Sequence, residues 1–376
     1  MQAGSNVPAA KGLSARLDLL RENLATRAAR LLRWARARHE KPASQKAVPL
    51  VYGCADTGRR PSYFRTLERL FDARRARHRD LLLTRSPVLF MVVEEAFLLY
   101  AMVGLLRAAI GRRTAGLLLR PMPLAASARW RHRLKRMVLR RLKRCRSVRT
   151  LTILPFSVFP AFASIADDWI HDFQLWDLTE EERKAVNLLR DERRPGDRLV
   201  LMAIGSQSAQ KGFDLFADIY ARSVKLRAHY QFIACGKVAP DAVEHAAVLN
   251  EAGGVTVDRS IGDCELLGAY AASDAVWCLY PRAGDHASGI LGRAAQLGIP
   301  VIVRQGSLAH RLCIVENLHH VAAVAEDAVE RLAGPLPPRD EGRGHRAALR
   351  FAGQSEATLR AALGLDLTAA RLASEA

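Results

Sequence analysis

Leu13, Leu17, Leu20, Leu24, Leu31 and Trp34 recur at three- and four-residue steps among arginines, which predicts an amphipathic helix closed by Pro42. From Val48 the pattern changes to a short apolar run, Val48-Pro49-Leu50-Val51-Tyr52, followed by Gly53, a polar turn and a helical pattern near Tyr63. Further apolar runs at 81–84, 115–119 and 148–154 read as strands separated by helical stretches, one of them an almost wholly basic helix over 129–146. The most apolar stretch, 87–110, is long enough to cross a bilayer but contains Glu94, Glu95 and Arg107, so a buried or interfacial helix is favoured over a transmembrane one.

An acidic, aromatic segment from Asp167 to Leu178 then marks a change of composition and an interdomain linker. Beyond it the alternation is cleaner. Strands are predicted at 198–204, 229–234, 255–257, 275–279 and 301–303, with helices at 213–226, 241–250, 264–271 and 289–297, the pattern of a doubly wound α/β domain. The chain therefore divides into a helical extension at 1–45, a first α/β domain at 46–165, a linker at 166–196, a second α/β domain at 197–335 and a helical segment at 336–376. That last segment is expected to pack back on the first domain.

Charge is unevenly placed along the 376 residues. Residues 1–150 carry 34 Lys+Arg against 9 Asp+Glu, or +25, whereas 151–376 carry 23 against 29, or −6, which together give the net +19. A basic half suits an anionic membrane surface. Nucleic acid is disfavoured, because few aromatic residues are interleaved with the arginines and no recognition motif is present. The six cysteines are dispersed, with no metal-ligand spacing, and read as thiols of a reducing compartment. Lys11, Arg16 and Arg21 interrupt the amino-terminal stretch where a secretory signal would be continuously apolar.

Open α/β sheets bind ligands beyond the carboxyl ends of their strands. Four such places carry polar residues in the second domain. The loop from Gly205 and Ser206 to Lys211 and Gly212 ends in a lysine at a helix start; alone it reads as a surface charge, and with helix-end amides it suits a diphosphate. Cys235-Gly236-Lys237 follows the next strand. The densest place is Tyr280 to Arg293, where Asp285, His286 and Arg293 are expected to face one crevice and Ser288-Gly289 to start a helix that a ligand can approach closely. The fourth is Val303-Arg304-Gln305-Gly306-Ser307. In the first domain, Gly58, Arg59 and Arg60 form either an ordinary basic turn or an anion site for an acceptor.

The series Gly205-x5-Lys211-Gly212, Ile233-Ala234-Cys235-Gly236, Tyr270 to Ala275, Pro281, and Gly289 through Gly298-Ile299-Pro300-Val301 resembles glycosyltransferase family 4 over roughly 197–335. The resemblance implies a GT-B fold, two Rossmann-like domains facing a cleft, here with an added amino-terminal amphipathic helix. It implies a retaining glycosyltransferase that takes sugar from a nucleoside diphosphate sugar, needs no cofactor or metal in the site, and serves a lipid-linked or oligosaccharide acceptor in polysaccharide synthesis. The expected setting is cytoplasmic, peripheral on the inner face of the membrane. Lys211 is placed on the donor diphosphate and Asp285 on the donor sugar, with Gly205, Ser206, Gly236, His286, Ser288, Gly289 and Arg293 around the donor and Gly58, Arg59 and Arg60 towards the acceptor. Three positions depart from the family, Asp285 standing with a shorter side chain in place of the first of two paired glutamates. Ser206 stands where arginine is usual, and Arg293 stands where the second of two paired glutamates would accept ribose hydroxyls. These departures admit an alternative, a catalytically silent scaffold subunit of a synthesis complex.

Overall fold

The computed structural model describes residues 48–53, 60–192 and 198–365. The expected helix near the amino terminus, Gly58 and Arg59 lie outside the described residues. The chain forms two parallel six-stranded sheets. The strands of the first are β1 (Leu50–Tyr52), β2 (Arg74–Arg75), β3 (Val88–Phe90), β4 (Thr114–Leu118), β5 (Val148–Thr152) and β6 (Asp168–Trp169), in the order β2-β1-β3-β4-β5-β6. Between them run α1 (Arg60–Phe71), α2 (Asp80–Leu83), α3 (Phe97–Ala109), α4 (Pro121–Ala126) and α5 (Trp130–Leu142).

The second sheet contains β7 (Leu199–Ile204), β8 (Tyr230–Cys235), β9 (Val255–Val257), β10 (Ala275–Cys278), β11 (Val301–Arg304) and β12 (His320–Ala323), in the order β12-β11-β10-β7-β8-β9. Its helices are α6 (Glu180–Asp191), α7 (Phe213–Arg222), α8 (Val224–His229), α9 (Val243–Glu251), α10 (Asp263–Ala272), α11 (Gly289–Gln296), α12 (Leu308–Val315) and α13 (Ala328–Ala333), and α14 (Glu341–Leu363) ends the described chain. By contacts the described residues form two compact units, one of Leu178–Trp277 with Ala325–Leu336, the other of residues 48–177, Cys278–Val324 and 337–365.

Two predicted elements are corrected. The run at 81–84 is not a strand but the short helix α2, in which Leu81 is buried while Leu82 and Leu83 face solvent. Asp80 accepts the Arg77 amide at 2.8 Å and turns the chain there. The strand is instead β3, hidden at the start of the apolar stretch 87–110, with all three residues buried. A turn carrying Glu94 and Glu95 separates it from α3. Continuous burial makes a short central strand indistinguishable by period from the helix that follows it.

Arg107, one of the charges that argued against a membrane span, has a guanidinium fully removed from solvent. It donates to the carbonyls of Leu81, Thr84, Ser86 and Arg113 at 2.6–3.1 Å and to the Thr114 hydroxyl at 3.2 Å, joining α3 to the turns on either side of it. Burial, with Arg112 adding like charge, lowers its pKa to about 10, still well above neutrality.

As expected, the carboxy-terminal helix α14 packs back on β4, β5 and β6. Ser355 accepts the His171 amide at 3.0 Å, and Phe351 lies 4.0 Å from the His171 ring. His171 in turn meets Glu316 at 3.0 Å, and Arg350 donates to the other Glu316 oxygen at 2.8 Å. In the unit built on β7 and β8, Phe216 and Tyr220 stack on Phe232 at 4.7 and 4.4 Å, so α7 is seated on its sheet by aromatic rings.

Candidate functional site

The site residues predicted from sequence fall in two different units. In the unit containing β7 and β8, the loops after those strands are locked together. The Gly205 amide donates to the Cys235 carbonyl at 2.9 Å, and the Gln207 amide to the Lys237 carbonyl at 2.9 Å. Gly236 has φ +136°, and a Cβ there would stand 2.0 Å from the Gly205 carbonyl oxygen, so only glycine allows this approach. Buried Gln207, which the sequence did not single out, clamps the turn by donating its amide to the Gly205 and Ala203 carbonyls at 2.7 and 3.1 Å. Ser206 is exposed beside it.

The loop continues through a 3-10 turn, Ala209–Lys211, into Gly212 at φ +66° and then α7. Trp277 donates its indole N–H to the Gly212 carbonyl at 3.2 Å, which fixes the corner. The Phe213 amide that opens α7 donates to the Ser208 carbonyl at 3.3 Å; no side chain caps the helix, so the Asp214 and Leu215 amides point to an external acceptor, and half-buried Lys211 stands just before it.

In the other unit, the chain after β10 runs through Tyr280, Pro281 and the 3-10 turn Arg282–Gly284 to Asp285. One Asp285 oxygen accepts from the Arg304 guanidinium at 2.7 Å and the other from the Leu308 amide at 2.9 Å. Arg304 also donates to the Tyr280 carbonyl at 3.0 Å, so the loops after β10 and β11 form one braced piece. Asp285, His286 and Arg304 line a cleft of about 810 Å³, which Arg120, Pro121 and Met122 after β4 and Leu154 after β5 also line. Each Asp285 oxygen keeps a lone pair, so the carboxylate can still take a hydroxyl from a ligand.

At the rim of this cleft the Gly306 amide donates to Nδ1 of His310 at 3.0 Å. Burial, then the neighbouring His320 and Arg311, lowers the His310 pKa and favours the neutral ring that this bond requires. Glu94, after β3, accepts the Arg120 amide at 2.5 Å and sets the turn leaving β4. Its own burial raises its pKa against the pull of that bond.

Two expectations, those for Arg293 and Gly289, change on this geometry, while Ser288 starts its helix as expected. Arg293 does not point into a crevice. It is buried on α11 and donates to Asp177 at 3.0 Å, while Asp177 also accepts from Ser62 at 2.9 Å and from Gln296 at 3.0 Å. Gly289 does not leave room for a ligand, because a Cβ there would meet the side chain of Gln174; at Gly292 a Cβ would stand 2.7 Å from the Gln174 carbonyl oxygen, so both glycines serve the close packing of α11. Ser288 caps α11 itself, accepting the Leu291 amide at 3.4 Å, and lies 3.3 Å from the Tyr280 hydroxyl. In the first sheet, Arg60 opens α1 and pairs with Glu95.

Of the cleft residues, Arg120 stands two residues past β4 and Arg304 is the last residue of β11. The rule that pointed to Asp285 therefore reaches Arg120 as well, once it is applied to the first sheet. Among the described residues no cluster of His, Cys, Asp and Glu could hold a metal ion, and no helix is long and apolar enough to cross a membrane.

No protein-family model matches the chain, and no curated protein matches it by sequence. Solved structures do resemble it. An α,α-trehalose 6-phosphate synthase from Burkholderia multivorans is 13% identical, with a TM-score of 0.52 over 86% of this chain and 79% of that one. The catalytic domain of starch synthase IV from Arabidopsis thaliana, bound to ADP and acarbose, is 14% identical, with a TM-score of 0.46 over 81% of this chain and 76% of that one. Sucrose-phosphate synthase from Thermosynechococcus elongatus is 13% identical, with a TM-score of 0.43 over 84% and 78%. Identities this low speak to architecture alone. With its two parallel six-stranded sheets and its likeness to the trehalose 6-phosphate synthase, this chain has the GT-B fold of the glycosyltransferases.

Proposed function

We propose that the protein is a glycosyltransferase that moves a sugar from a nucleoside diphosphate sugar to a lipid-linked or polysaccharide acceptor. The observation that carries the reading is the uncapped start of α7, with Lys211 before it and the locked Gly205–Gly236 loops beneath it, in a GT-B chain. Departure of the diphosphate leaves negative charge on its terminal oxygens. An ammonium and oriented helix-end amides stabilise that charge as it develops. Asp285, braced by Arg304 and the Leu308 amide, is positioned to hold a hydroxyl of the donor sugar. In a retaining transfer the acceptor enters on the face the diphosphate leaves, and neither an enzymic base nor a metal is required.

Purified protein incubated with uridine, guanosine and adenosine diphosphate sugars should release the nucleoside diphosphate faster when acceptor lipid extract is added. A second reading, a silent GT-B subunit, is favoured by Arg293, whose guanidinium sits on Asp177 where the family resemblance places a ribose-binding glutamate. Nucleotide binding without release of diphosphate from any donor would select that second reading, and absence of nucleotide binding would remove the first.

A further inference from the structure

Helix α3 buries Phe97, Tyr100, Val103 and Gly104 in its own unit and leaves Leu98, Met102, Leu105 and Leu106 exposed, Leu98 at 81%. Those four positions fall on one stripe of the helix. Its neighbour α5 repeats the arrangement with Trp130, Leu134 and Met137, Trp130 being 69% exposed. The two helices pack side by side, and the Lys135 ammonium lies 5.0 Å over the Phe97 ring. Apolar rows on adjacent helices that face away from the core mark an interaction surface.

The same surface is strongly cationic. From Phe97 to Arg146 the chain has 14 Lys+Arg, of which Arg107 is buried, and no Asp or Glu, and Arg131, Arg133, Arg140 and Arg141 on α5 are all exposed. We propose that α3 and α5 dock the protein on an anionic lipid bilayer, with the apolar rows in the acyl boundary and the arginines among the headgroup phosphates. The combination selects the partner. A nucleic acid would answer the arginines but leave the exposed leucines against a phosphate backbone, and a neutral protein groove would answer the leucines but not the arginines. Residues 1–47 of the same chain carry 10 Lys+Arg against 3 Asp+Glu, so like charge opposes their seating on this surface.

The proposal does not rest on sugar transfer, and its test uses no catalysis. Full-length protein should float with vesicles of phosphatidylcholine mixed with phosphatidylglycerol and not with phosphatidylcholine alone. Binding should fall as salt rises, because surface attraction is screened within about 8 Å at physiological ionic strength. The pairs Leu98→Asp with Leu105→Asp, and Arg133→Glu with Arg140→Glu, should each weaken binding about tenfold or more, which places the contact on these helices rather than elsewhere in the basic half. In the unaltered protein, acyl-chain bromines should quench tryptophan fluorescence, and Trp130→Phe should remove that quenching. Equal flotation with both vesicle types, flotation with neither, both variant pairs binding like wild type, or no loss of quenching in Trp130→Phe would each overturn the proposal.

Discussion

Arg293 shows how one side chain can be misread from its neighbours in sequence. It lies eight residues beyond Asp285, next to a glycine-rich helix start, and the family resemblance placed it at the donor. Its partner was out of view, since Asp177 is 116 residues away and joins Ser62, Gln296 and Arg293 in one buried network. Arg293→Glu should therefore destabilise the fold rather than restore a donor contact, because it sets two carboxylates together out of water. Removing one partner of a buried ion pair costs about 3–5 kcal/mol. Thermal unfolding should report a large fall in Tm, and an unchanged Tm would show that Arg293 is not held as described. Gly236 is placed around the donor by the resemblance alone, and the structure gives it a backbone role that the sequence reading does not contain: its φ of +136° and the Gly205 carbonyl oxygen leave no room for a Cβ. Gln207 was not legible, because a glutamine in a polar loop carries no sign that it will be buried beneath two carbonyls.

At the scale of elements, the second sheet is legible in sequence for five of its six strands, β12 being the exception, since those apolar runs end in glycine or a polar turn. The first sheet was harder. Its β3 strand merges with α3 in one apolar stretch, and β2 and β6 are two-residue edge strands that have no pattern of their own. The attachment of α14 also depends on residues distant in sequence. Burial alone would raise the Glu316 pKa, but hydrogen bonding and charge from His171 and Arg350 outweigh it and hold the carboxylate below its ordinary value of 4.5. A depressed carboxylate contributes stability above its unfolded pKa and loses it as pH falls through the folded one. Wild-type protein should therefore lose stability below about pH 4.5 more steeply than Glu316→Gln, while at neutral pH the variant should be less stable by roughly 1.5–3 kcal/mol, the range for a charge-assisted hydrogen bond. Denaturant titrations at both pH values check this, and parallel pH profiles for the two proteins would contradict it.

For the whole molecule, the chain has the GT-B fold, its first sheet carries an apolar row on the outside of α3 and an apolar and arginine-rich face on α5, and its second sheet has glycine loops at its strand ends. The architecture was legible because both halves alternate strand and helix, whereas the lining of the cleft was not, since it draws residues from loops more than 150 positions apart, such as Arg120 and Arg304. The central claim is that the start of α7 binds the diphosphate of a nucleotide donor. Isothermal titration of wild type and Lys211→Ala with uridine, guanosine and adenosine diphosphates tests it most directly. One nucleotide should bind the wild type, and loss of a charge-assisted contact worth roughly 1.5–3 kcal/mol should weaken that binding about tenfold or more in the variant. A folded Lys211→Ala protein with unchanged affinity, or a wild type that binds none of the three, would contradict the account.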